Sequence, residues 1–92
     1  MNIKVRFYGV AYEQTEVREW YPELLDGSTV EDLLDLLVGE YPELHEMVFD
    51  EAVFRDYLAI SINNVDILGL DGVHTVLKDC DVVFVMPPIG GG

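Results

Sequence analysis

Positive charge is what this chain has least of. Five Lys and Arg stand against 18 Asp and Glu in 92 residues, a formal net charge of −13. A nucleic-acid partner needs a basic footprint for phosphates, so direct contact with DNA or RNA is excluded as the working expectation. The imbalance favours a basic partner surface or a high-salt cytoplasm, and the only lysines are Lys4 and Lys78. Cysteine is nearly absent too. A single residue, Cys80, allows neither an internal disulfide nor the four-thiolate ligation of an iron–sulfur cluster. No apolar run approaches the roughly 18 residues of a membrane span, and the opening Met1-Asn2-Ile3-Lys4-Val5 lacks an apolar signal region. The expectation is a soluble, cytoplasmic protein that does not contact a membrane. His45 and His74 lack ligand-like spacing and read as surface residues, with no metal site. No Ser/His/Asp pattern or phosphate-cradling loop is present, and a chain this short leaves little room for a catalytic cleft.

What is present is a small hydrophobic domain under an acidic surface. Hydrophobic residues make up 50% of the chain, too many for a disordered acidic segment. Ile3, Val5 and Phe7 alternate with Lys4, Arg6 and Tyr8, the period of a half-buried strand that Gly9 ends. Residues from about Thr15 to Tyr21 read as a returning strand, and Pro22 with Asp26-Gly27 as a turn. Thr29 is a good helix N-cap, Ser28-x-x-Glu31 fits a capping box, and Val30, Leu33, Leu34, Leu37 and Val38 form one apolar stripe. Gly39 and Pro42 are expected to stop that helix, with a second short one from Pro42 to about Phe49. Leu58–Ile62 reads as a strand, Asn63-Asn64 as a turn tolerant of positive φ, and Val65–Leu68 as a strand pairing back. Gly69–Thr75 is irregular, Lys78–Asp81 a tight turn, and Val82–Met86 the last strand. This β-β-α-β-β order predicts an α+β fold, a sheet with its helix on one face.

The last strand is apolar at both parities. Val83 and Val85 share one face; Val82, Phe84 and Met86 share the other. One face packs on the helix; the other is either covered by a docking partner, with Tyr8, Ile67 and Met86 as its expected members, or is merely a hydrophobic strand flanked by neighbours. Cys80, between Asp79 and Asp81, reads as a turn residue with a half-buried thiol rather than a sulfur relay. The acidic pairs Glu31-Asp32 and Asp50-Glu51 read as solvated faces that meet basic groups on a partner.

After Met86 come Pro87, Pro88, Ile89 and Gly90-Gly91-Gly92. Prolines lack an N–H donor and fix φ, so the sheet stops there and the remainder projects. Glycines lack Cβ atoms, so their backbone threads a slot that larger residues would block. A stiff base with a bare tip points to the terminal carboxylate as the working group. The bland alternative, a disordered end or a tag remnant, fits poorly with glycines that follow an apolar strand without a break. The division expected is a globular domain at 1–86 and a flexible tail at 87–92.

Three stretches carry a family resemblance: Asn2–Tyr8, Gly27–Leu34, and Leu77–Val83 followed by Met86–Gly92. In order and spacing the chain resembles the ubiquitin-like β-grasp sulfur carriers, above all the small subunit of molybdopterin synthase. Cys80 stands where that family usually has glycine, and Gly90 where serine is common. The resemblance implies a mixed sheet on one main helix with a protruding Gly-Gly tail. It further implies that a ubiquitin-activating-like adenylyltransferase uses ATP to adenylate the Gly92 carboxylate, with Gly91 as its slim neighbour. Sulfur then replaces AMP to give a thiocarboxylate, which donates sulfur to a molybdopterin precursor in complex with the synthase large subunit. The chain itself binds no cofactor and has no turnover. Tyr8, Ile67, Met86, Pro87, Pro88, Ile89 and Gly90 are the partner-binding residues expected. An extended Pro87–Gly92 segment reaches roughly 20 Å, at about 3.3–3.6 Å per residue. Within the same fold, a modifier joined to lysines or a carrier for tRNA thiolation remains open. Thiamine-pathway carriers share the tail but typically lack Pro-Pro. A plain interaction domain with an incidental tail is the alternative of another class.

Overall fold

A computed structural model describes residues 1–49 and 59–86. The elements in chain order are β1 (Lys4–Phe7), α1 (Gly9–Thr15), β2 (Glu19–Trp20), α2 (Val30–Glu40), α3 (His45–Phe49), β3 (Ala59–Ile62), β4 (Val65–Asp66) and β5 (Val82–Met86). The sheet order is β2-β1-β5-β3-β4. Only β1 and β5 run parallel, in the register Lys4↔Val82 to Phe7↔Val85; the other pairs are antiparallel. The last strand therefore lies in the middle of the sheet.

Alternation builds the core. Ile3, Val5 and Phe7 of β1, Val83 and Val85 of β5, and Ile60 and Ile62 of β3 are buried on the face that meets Val30, Leu33, Leu34 and Leu37 of α2. Two ring contacts close the β2 side, Phe7 edge-on to Tyr41 at 5.4 Å and Trp20 edge-on to Tyr41 at 5.5 Å. Burial first, then the Glu40 and Glu43 carboxylates, holds the Tyr41 phenol above its ordinary value.

Helix α2 starts where expected, but its capping box belongs to Thr29 and Asp32 rather than Ser28 and Glu31. The Thr29 hydroxyl accepts from the Asp32 N–H at 3.3 Å, and the Asp32 carboxylate accepts from the Thr29 N–H at 2.9 Å. Thr29 holds the extended N-cap backbone, so the reciprocal carboxylate must come from three residues on. Gly39 does not end the helix, which continues to Glu40; the Tyr41 N–H then bonds the Leu37 carbonyl at 2.8 Å. The short helical stretch after Pro42 forms as expected, first as a tight turn at Pro42–Leu44 and then as α3.

The expected second strand shortens to Glu19–Trp20, because Gly9–Thr15 is helical. Gly9 at φ 56 turns the chain out of β1, and Ala11 alone of α1 is buried. Glu16 at φ 58 closes that helix by donating to the Tyr12 carbonyl at 2.7 Å. The fourth strand also ends early, at Asp66, because Ile67 turns inward to the core. Asn63 and Asn64 both take positive φ, 50° and 71°, as a tight hairpin requires.

The turn before β5 is fixed from several sides. Asp81 is buried; its carboxylate accepts from the Asn63 amide at 2.9 Å and from the Lys78 N–H at 2.8 Å. Asn63 in turn accepts from the Val82 N–H at 3.0 Å. Cys80 sits at φ 70 in this turn and is exposed, not half-buried as expected. A left-handed backbone explains why glycine suits the position. The expected tail at 87–92 lies outside the described residues.

Urea unfolding tests both the core and this turn. Leu37→Ala should cost about 2–5 kcal/mol of stability, while Leu25→Ala at a fully solvated position should stay within about 0.5 kcal/mol. Cys80→Gly should stabilise the protein by up to about 1 kcal/mol, because strain is relieved and only part of it returns as glycine entropy; a loss of stability would show that the turn is not strained.

Candidate functional site

The outer face of the sheet arises from the same alternation that fills the core. Lys4 and Arg6 of β1, with Tyr8 just beyond it, share this face with Val82, Phe84 and Met86 of β5, all half-buried. Pairing places Glu19, Arg6, Phe84, Ser61 and Asp66 in one row across all five strands. The Tyr8 and Phe84 rings stack with centroids 6.1 Å apart and planes 24° from parallel. Tyr8 is fixed beside the end of β5, since its N–H donates to the Val85 carbonyl at 2.9 Å. The Arg6 guanidinium lies 5.6 Å from the Tyr8 ring centroid, a cation–π contact.

Charge on this face is paired around Glu19. Its carboxylate takes Lys4 Nζ at 2.8 Å, lies 3.7 Å from Arg6 Nε, and accepts from the Tyr21 hydroxyl at 3.0 Å. The hydrogen bond from Lys4, then that from Tyr21, holds the Glu19 carboxyl below the usual carboxylate range. The Arg6 Nε–H is screened from solvent and has no hydrogen-bond acceptor among the described residues. Two of the chain's five basic residues thus stand beside an aromatic pair, on a protein that is otherwise strongly acidic.

The structure brings Tyr8 and Met86 to this face and removes Ile67 from it. Ile67 is 3% exposed and belongs to the core, so it cannot meet a partner; it lies where the chain has left strand parity for a tight turn. Phe84 and Arg6 belong to the face and were not among the expected contacts. Parity would have found both, as Phe84 alternates with Val83 and Val85 and Arg6 with Val5 and Phe7. Pro87, Pro88, Ile89, Gly90, Gly91 and Gly92 lie outside the described residues. His45 and His74 are both exposed, as expected. Cys80 Sγ lies 3.7 Å from the Asp79 carboxylate, which the Asn2 N–H, bonded at 2.6 Å, holds below its ordinary range. Among the described residues no group of three His, Cys, Asp or Glu could hold a metal, and no helix is long and apolar enough to cross a membrane. An aromatic, partly basic platform thus lies beside the end of the central strand.

Comparison with known proteins places the chain in a family. The small archaeal modifier protein 3 of Haloferax volcanii is 30% identical over the full length of both chains. The molybdopterin synthase sulfur carrier subunit of Chlamydomonas reinhardtii is 34% identical, again over 100% of each. A Haloferax volcanii protein solved in solution superposes with a TM-score of 0.82 at 30% identity, covering 100% of this chain and 87% of that one. The ThiS family model matches residues 5–92, and the chain, with its ubiquitin-like β-grasp fold, belongs to the ThiS family.

Proposed function

We propose that this protein is a sulfur carrier whose Gly92 carboxylate is activated by a partner enzyme and loaded with sulfur for molybdopterin synthesis. In the first step a carboxylate oxygen attacks the α-phosphorus of ATP on a ubiquitin-activating-like adenylyltransferase; pyrophosphate leaves and an acyl-adenylate forms. Hydrosulfide then attacks the acyl carbon, AMP leaves, and loss of the remaining S–H proton gives the thiocarboxylate. The large subunit of molybdopterin synthase receives this end; the thiocarboxylate sulfur displaces an oxygen leaving group at a precursor carbon, and water then cleaves the acyl–sulfur bond, leaving sulfur on the precursor and restoring the Gly92 carboxylate. The chain contributes no acid or base to these steps. Its part is to position, through a body that docks outside while the glycines enter.

The observation that carries this reading is the outer face itself. Tyr8, Phe84 and Met86 share one face at the end of the strand that precedes Pro87, so a partner gripping the face meets the start of the segment that carries Gly92. Full-length identity of 34% to a synthase sulfur carrier subunit supports the molybdopterin route. The 30% full-length identity to an archaeal modifier supports a second outcome from the same adenylate. There a lysine Nζ of another protein attacks the acyl carbon, AMP leaves and an isopeptide bond forms. The two readings share the docking face and the activation step and differ only in the nucleophile.

Mass spectrometry of protein from its native host separates them. Sulfur carriage predicts a Gly92 terminus heavier by the difference between sulfur and oxygen; conjugation predicts glycine remnants on lysines of other proteins. Neither product, together with full cellular function after deletion of Gly91-Gly92, would overturn both. For the face, Tyr8→Ala with Phe84→Ala should weaken binding of the activating enzyme at least about tenfold while the fold persists, as expected for aromatic anchors; unchanged affinity would place docking elsewhere.

A further inference from the structure

A second apolar surface lies at the other end of the sheet. Of the large hydrophobic side chains exposed among the described residues, four come from one stretch: Val65 at 48%, Leu68 at 87%, Leu70 at 43% and Val76 at 54%. Val65, Leu70 and Val76 line one cavity of about 260 Å³ with Ile62, Thr75 and Lys78. This region joins the Val82 end of β5, whereas the tail begins after Met86 at its opposite end. A partner can hold one without covering the other.

The stretch that presents these side chains is well braced. Asp66 caps the turn Ile67–Gly69 by accepting from the Leu68 N–H at 2.8 Å, while Ile67 is buried beneath it. The Thr75 hydroxyl donates to the Gly72 carbonyl at 2.7 Å and accepts from the Asp71 N–H at 3.0 Å. Leu68 is therefore held in water by its backbone rather than left there by a loose loop. An apolar group preorganised in solvent loses little entropy when a partner covers it.

Charge and size select the occupant. Asp66 and Asp71 flank the apolar residues, Asp81 lines the cavity, and Lys78 is the only lysine or arginine in its wall. A second copy, carrying the same net charge of −13, approaches against like charge, and nucleic acid does the same. A cavity of about 260 Å³, near the lower end of the roughly 300–1,000 Å³ of small-molecule sites, has room for an apolar side chain. We infer that Val65, Leu68, Leu70 and Val76 form a second docking surface, for a protein segment that inserts an apolar side chain flanked by lysine or arginine. The surface serves whichever nucleophile the tail meets, so it does not rest on the function proposed above.

The test is an amide-shift titration of the ¹⁵N-labelled full chain with the synthetic peptide Arg-Arg-Leu-Gly-Leu-Arg-Arg and with its twin bearing glutamate for arginine. Saturable shifts confined to the region around Val65, Leu68, Leu70 and Val76, with the arginine peptide only, are expected. Leu68→Ser with Val76→Ser should weaken that binding about tenfold, and Tyr8→Ala with Phe84→Ala should leave it unchanged. Both serine sites are solvent-exposed; should the pair unfold the protein, Leu68→Arg alone must give the same loss. Shifts spread evenly over the acidic surface, equal binding of the glutamate twin, or full affinity in the Leu68 variants would overturn the inference.

Discussion

Everything in this fold depends on β5 being held on both sides. Its residues pair in parallel with β1 and antiparallel with β3, and Val83 and Val85 are sealed beneath α2 with at most 1% of their surface exposed. The parallel ladder joins Lys4 to Val82, nearly the whole chain apart, so the sheet closes only after the intervening chain is ordered. A strand at an edge would fray, but one between two neighbours has a partner for its backbone groups on either side. The segment beyond Met86 therefore starts from the most constrained part of the molecule. That suits the proposed carrier role, in which the chain end meets another protein.

The outer face and the edge cluster then divide the surface by chemistry. Around Tyr8 and Phe84 the chain concentrates Lys4 and Arg6 near Glu19, and one carboxylate ties the two cations. Around Leu68 it places aspartates beside apolar side chains. On the two proposals above, such a division would serve two partners, or two parts of one. The net charge favours encounter with basic surfaces over both, because long-range attraction raises association rates.

Much of this is legible in the sequence, and the failures have physical causes. Strict alternation marks Ile3, Val5 and Phe7, and helical spacing marks Val30, Leu33, Leu34 and Leu37, because a single buried face leaves an unambiguous period. Asn63-Asn64 announces its turn through tolerance of positive φ. Helix α1 escapes such a reading because seven residues with one buried side chain, Ala11, carry almost no period, and Gly9 looks like a simple stop. Ile67 is misplaced because the expected strand gives way after two residues to a tight turn that buries it in the core. Arg6 and Phe84 follow from parity, since they alternate with the buried Val5, Phe7, Val83 and Val85; only their mutual register across strands lies outside any local pattern. The family placement comes from three stretches, Asn2–Tyr8, Gly27–Leu34 and Leu77–Val83 with Met86–Gly92, taken in order and spacing.

The central claim is that β5 is a rigid base out to its last residue. Native-state hydrogen exchange measures this directly, amide by amide. The account predicts that the amides of Val83, Phe84 and Val85 exchange only through global unfolding, with the same free energy as those of Leu34 and Leu37 in α2. Exchange of the β5 amides through local opening, at a lower free energy than the helix, would contradict it.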